Sequence, residues 1–162
     1  MISIKNPKRT EANANFIENY TKTAISNEPT VLSVDLEHSS TMTLSESKKK
    51  IRQFLSKIRT DFSDAEYLLL TSLESGNPSH KMLLSLNGEG VSQFERLLGT
   101  IWPTKKKFEI LDKRDARKLS VSFKEYYQAA SGGLPFTNEN NSKTKSKIFQ
   151  RSRRKAGLGI VN

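Results

Sequence analysis

Two histidines, an adjacent pair of tyrosines and a few carboxylates are the residues whose types could carry chemistry. The histidines are His38 and His80; an imidazole exchanges protons near neutral pH and ligates metals. His80 opens SHKMLLSLN and Glu74 ends AEYLLLTSLE, so a hairpin through the intervening SGNP would bring Glu74 and His80 together. A carboxylate with an imidazole can hold a divalent ion, although two protein ligands are few for tight binding. Asp35 and Glu37, which share a face of TVLSVDLE with Ser33, are further candidate ligands. The plainer expectation for Glu74 and His80 is a rim salt bridge or simple exposure. His38, in EHSSTMT, is expected in solvent. Tyr126 and Tyr127 offer a phenol that could form an ester with a phosphate. An adjacent pair on an amphipathic helix more often places one ring in the core and one at the surface.

Other chemistries are missing. There is no cysteine, which removes disulfides, thiolate-ligated zinc and thiol catalysis. Ser131-Gly132-Gly133 is not a P-loop, and no Gly-x-Ser-x-Gly elbow occurs. No apolar run approaches the roughly 18 residues of a membrane-spanning helix. The start, MISIKNPKRTEANANF, lacks the apolar core of a secretory signal. A cytoplasmic protein without a membrane partner is expected.

The elements that would position these residues follow from periodicity. Positions 11–26 suit a helix with Phe16, Ile17, Tyr20 and Ala24 on one face, closed by Pro29. TVLSVDLE reads as a strand. Thr43 and Glu46 have capping-box spacing, and Leu44, Ile51, Phe54, Leu55, Ile58 and Phe62 recur behind them at helical intervals. The other face of that helix carries Lys48, Lys49, Lys50, Arg52, Lys57 and Arg59. Such a face is either simply solvated or turned towards phosphates. Two strands around SGNP, a helix over 89–102 stopped by Pro103, a strand over 105–112 and a helix over 118–131 complete the series. The order β-α-β-β-α-β is the ferredoxin-like, split-βαβ pattern. Its expected form is α+β, an antiparallel sheet with helices packed on one face. The expected divisions are an N-terminal helical extension (1–29), an α+β domain (30–131) and a linker with a basic tail (132–162).

The 162 residues carry 27 Lys+Arg against 17 Asp+Glu, a net charge of +10. That excess is uneven: residues 1–139 carry +3, and the remainder carries +7 with no acid. Lys143, Lys145, Lys147, Arg151, Arg153, Arg154 and Lys155 make the tail a candidate nucleic-acid-binding arm, together with Lys48, Lys49 and Arg52 of the basic helix.

LLLTSLESGNPSHKMLLSLNG, the strand and basic helix before it, and the tyrosine-bearing helix after it resemble the HUH-superfamily replication initiators. These are the rolling-circle Rep proteins of phages and plasmids. Glu74 and His80 align with that family's carboxylate and first motif histidine, and Tyr126-Tyr127 with its nucleophile. The resemblance implies Mg²⁺ or Mn²⁺ held at Glu74 and His80. It also implies nicking of single-stranded or hairpin origin DNA by a tyrosine that stays linked to the 5′-phosphate, and reliance on a host helicase. This sequence departs from the pattern at Met82, where the second histidine would stand, and in lacking the lysine after the tyrosines. A thioether is a poor ligand for a hard cation. Alternative expectations are a non-catalytic nucleic-acid binder, or a viral or mobile-element protein whose basic tail contacts a partner.

Overall fold

Four of the apolar, β-branched segments pair into one antiparallel sheet, to which the C-terminal segment adds a short fifth strand. The computed structural model describes residues 7–38, 40–73, 77–86, 88–103, 105–132 and 149–152. The strands are β1 (Thr30–Glu37), β2 (Glu66–Ser72), β3 (Ser79–Leu86), β4 (Lys106–Ile110) and β5 (Phe149–Arg151), in the order β4-β1-β3-β2-β5. All neighbours are antiparallel, with Leu36 opposite His80 and His80 opposite Thr71. The first four strands have the split-βαβ order that the sequence pattern implies: each helical crossover skips a strand.

Helices cover both faces of this sheet. On one face lie α2 (Leu44–Asp61) and α3 (Val91–Ile101), the two crossover helices. Ile51, Phe54, Leu55, Ile58, Phe94 and Leu98 pack there against Leu32, Val34, Leu36, Leu69, Met82 and Leu84. The other face is covered by α1 (Pro7–Asn27) and α4 (Ala116–Gly132). Ala14, Ile17, Ile25, Phe123 and Tyr127 meet Val31, Leu68, Leu70 and Leu83 there. The central strands are apolar on both sides because both sides are covered. Burying Ile17 and Ile25 contributes about 1.5–3 kcal/mol each. Packing of this kind, more than helix propensity, stabilises a helix that has no acidic residue in its first turn. Within the stretch expected to be an N-terminal extension, α1 therefore contributes to the core.

α2 begins as its sequence prescribes. Thr43 caps it, accepting from the Glu46 amide, while Glu46 accepts from the Thr43 amide. Asn77, just before β3, accepts from the Met42 amide at 2.9 Å and donates to the Ser40 carbonyl at 3.1 Å. The loop into α2 is thus fastened to the start of β3, which fixes α2 over His80.

Candidate nucleic-acid interface

His80 is the second residue of β3. The two-residue period places its imidazole on the α2 side, with Met82 and Leu84. It is 3% exposed, so neither a rim salt bridge nor solvent exposure describes it. Its Nε2 lies 2.8 Å from the Ser47 hydroxyl of α2, and its Nδ1 lies 3.0 Å from the Thr71 hydroxyl of β2. The same Ser47 oxygen lies 2.8 Å from Nε2 of His38. His38, expected in solvent, is buried, its ring 5.8 Å from that of His80 and 5.0 Å from that of Trp102. Burial lowers the pKa of His80 to about 3, helped by the neighbouring His38. Burial, then Lys50, lower that of His38. Both imidazoles are neutral at pH 7. Nδ1 of His38 has no hydrogen-bond partner among the described residues.

Among the described residues, the His80 imidazole and the hydroxyls of Tyr126 and Tyr127 point to different faces of the sheet. Glu74 lies outside the described residues. Met82, where the related motif has a second histidine, is fully buried in the apolar core. Among the described residues there is no group of three or more His, Cys, Asp or Glu that could hold a metal ion. Asp35 points to the α4 side, 3.3 Å from Lys81. Tyr126 and Tyr127 also lie on that side. The Tyr126 hydroxyl is 3.0 Å from Ser79 Oγ, and the buried Tyr127 hydroxyl accepts from Asn13 at 3.1 Å. The side chain of Ser79, which bonds Tyr126, points to the opposite side of the sheet from the His80 imidazole, although His80, Ser79 and Tyr126 all border one groove at that end of the sheet. Tyr127 is buried as expected of one ring of the pair, but Tyr126 is half-buried and packs against the same core instead of standing at the surface.

What converges instead is positive charge. The C-terminal end of β1, the first residues of β3 and β4, and the first turns of α2 all lie at the same end of the sheet. Lys48, Lys49 and Lys50 arrive there on α2, and Lys105, Lys106 and Lys107 at the start of β4. A short chain of contacts joins the two triplets. Lys50 Nζ lies 4.6 Å over the Trp102 ring, the Trp102 indole donates to the Glu37 carbonyl at 2.7 Å, and the Glu37 amide donates to the Lys105 carbonyl at 2.8 Å. Lys105 has a φ of 56°, an αL conformation that is uncommon for a lysine and turns the chain into β4. Lys81, Lys105, Lys106 and Lys107 border an open groove of about 550 Å³, with Tyr126, Asp35 and Glu37 on its walls.

A second groove, of about 320 Å³, runs between α2 and the outer strands β2 and β5. Its rim holds Lys48, Arg52 and Arg59, and its inner wall holds Thr71, His80 and Gln150. Arg151 of β5 turns to the opposite side and lies 5.0 Å over Phe16 of α1. Of the cations expected in a nucleic-acid contact, Lys48, Lys49, Arg52 and Arg151 are thus placed on ordered elements. Lys143, Lys145, Lys147, Arg153, Arg154 and Lys155 lie outside the described residues. The sequence reading placed Arg59 on the basic face of α2 but missed Lys105–Lys107 as part of a surface. The run of three lysines was a visible signal, but it was absorbed into the strand that follows.

No protein-family model matches this chain, and no curated protein matches it. Among solved structures, the hypothetical protein ORF119 from Sulfolobus islandicus rod-shaped virus 1 is similar. It is 13% identical, with a TM-score of 0.44 over 69% of this chain and 94% of that one. At that TM-score the likeness carries no argument about function.

Proposed function

We propose that the chain binds DNA through the basic end of its sheet. The observation that supports this most directly is that Lys50, over the Trp102 ring, and Lys105–Lys107, at the start of β4, lie at the same end of the sheet. Lysines on such a surface attract a phosphate backbone, and their contacts release condensed counterions. The Lys50 contact with the indole and the backbone bond from Glu37 to Lys105 tie α2 and the start of β4 to the same end of the sheet, so both carry their charge towards one polyanion.

A replication-initiator role is the finer form of this reading, with single-stranded or hairpin origin DNA, Mg²⁺ or Mn²⁺, tyrosine nicking and a host helicase. It draws support from the order of elements and the tyrosine-bearing helix. The placement of the phenols behind the sheet and of Met82 in the core favours binding without nicking.

Fluorescence anisotropy with hairpin and single-stranded DNA at low salt tests the proposal. Replacing Lys105, Lys106 and Lys107 by Gln together is expected to weaken binding at least about tenfold. An unchanged affinity, or no binding by the wild type, would reject the basic end as the contact surface. Incubation of the same DNA with Mn²⁺ tests nicking. A covalent adduct that disappears in Tyr126→Phe or Tyr127→Phe would establish it, and absence of any adduct leaves binding alone.

A further inference from the structure

We propose that the groove between α2 and the β2–β5 edge seats one unstacked nucleotide of a single DNA strand. This rests on the DNA-binding reading above and adds a preference for single strands. The groove's volume of about 320 Å³ lies at the small end of ligand sites, which span roughly 300–1,000 Å³. It has room for one nucleotide, not for a stacked pair.

The lining divides as a nucleotide does. Arg52 and Arg59 stand on the outer side of α2 with Lys48, and among the described residues no carboxylate borders the groove. An arginine fork matches a phosphate better than any other side chain. Leu44, Ile51 and Leu55 line the groove with apolar surface for the face of a base. Between these zones stand Thr71 and Gln150, neutral groups that can each donate and accept a hydrogen bond, as a base edge requires. A bare phosphate would leave the apolar part of the groove unused. A duplex would keep its bases stacked and out of reach.

β5 gives the groove its outer wall. Gln150 is opposite Leu69, which directs its side chain to the α2 side. Its neighbours keep it there. The Ser152 amide donates to the Tyr67 carbonyl at 3.0 Å, the Tyr67 amide donates to Ser152 Oγ at 2.9 Å, and Arg151 lies over Phe16. Arg59 donates to the Tyr67 hydroxyl at 3.3 Å, so the same tyrosine borders both walls. The segment that carries the basic tail is therefore docked beside the proposed nucleotide seat. His80 acts here as a positioning residue, since its Nδ1 fixes the Thr71 hydroxyl.

The test compares a short oligothymidylate with a duplex of equal length, using the full chain. The wild type is expected to bind the single strand about tenfold more tightly. Arg52→Ala with Arg59→Ala should abolish that preference, lowering affinity for the single strand about tenfold more than affinity for the duplex. Lys57→Ala, which removes an exposed charge from the same helix outside the groove, should leave the preference intact. The Gln150 side-chain amide resonance should shift with the single strand and not with the duplex. Equal affinity for the two DNAs, or a preference that survives the double substitution, would overturn the seat while leaving DNA binding at the basic end in place. Binding of neither DNA by the wild type would overturn both.

Discussion

A hydroxyl shared by two imidazoles has one proton to give. The Ser47 oxygen lies within hydrogen-bond distance of Nε2 of both His38 and His80 and can donate to only one of them, so at least one of the two buried rings donates to it. Ser47→Ala leaves both Nε2 atoms without that partner in a buried site. The expected loss of stability is about 1–3 kcal/mol, read from urea unfolding at neutral pH. Acid has a related effect. An unfolded histidine titrates near its ordinary value of 6.5, whereas folded His80 titrates at about 3. Between those values the unfolded chain holds a proton that the folded chain excludes. The contribution is therefore present in full above pH 6.5 and is lost as pH falls. From pH 7 to pH 5, His80 alone is expected to remove about 2 kcal/mol, and His38 adds to it in the same direction. A urea midpoint that stays flat over that interval would mean that the imidazole is solvated. The burial of His80 ran against the plainer expectation of a rim position, because a strand's alternation shows which side a residue faces but not that α2 closes over it. The burial of His38 was not legible either, because a short polar loop shows nothing of the helix and indole that close over it.

Helices and strands were legible where the signal is local. The capping box at Thr43 and Glu46 fixed the start of α2, and Thr43→Ala is expected to cost about 1 kcal/mol, measured by thermal or urea unfolding. Pro103 and the apolar spacing before it likewise marked the end of α3. What the sequence hid depends on pairing between distant segments. α1 reads as an optional amphipathic helix until α4 and the sheet supply its partner face. β5 is three residues of mixed character, Phe-Gln-Arg, with no alternation long enough to mark a strand. Its existence depends on the unpaired edge of β2. Removal of residues 149–162 should therefore speed amide exchange in β2 selectively. The Tyr67 amide, which donates to Ser152, should show it first, while β1 and β3 stay protected. Uniform exchange across the sheet, or no change at β2, would contradict the docking of β5.

At the scale of the whole molecule, the net charge of +10 contains two populations of cations that salt can distinguish. One is held on ordered elements at the basic end of the sheet; the other follows β5 as Arg153, Arg154 and Lys155. The logarithm of affinity falls with the logarithm of salt concentration by about 0.7 per neutralised phosphate on a single strand. Truncation after Ser152 removes three cations while retaining β5 and the groove. It should reduce the slope by at most about 2 and should leave the single-strand preference intact, since no residue of the seat is lost. Glutamine at Lys105, Lys106 and Lys107 removes the same charge from the rigid surface. If the basic end is the principal contact, this variant loses more affinity than the truncation at equal salt. The reverse order, with truncation abolishing binding and the glutamines harmless, would place recognition in the tail and reduce the folded domain to its carrier.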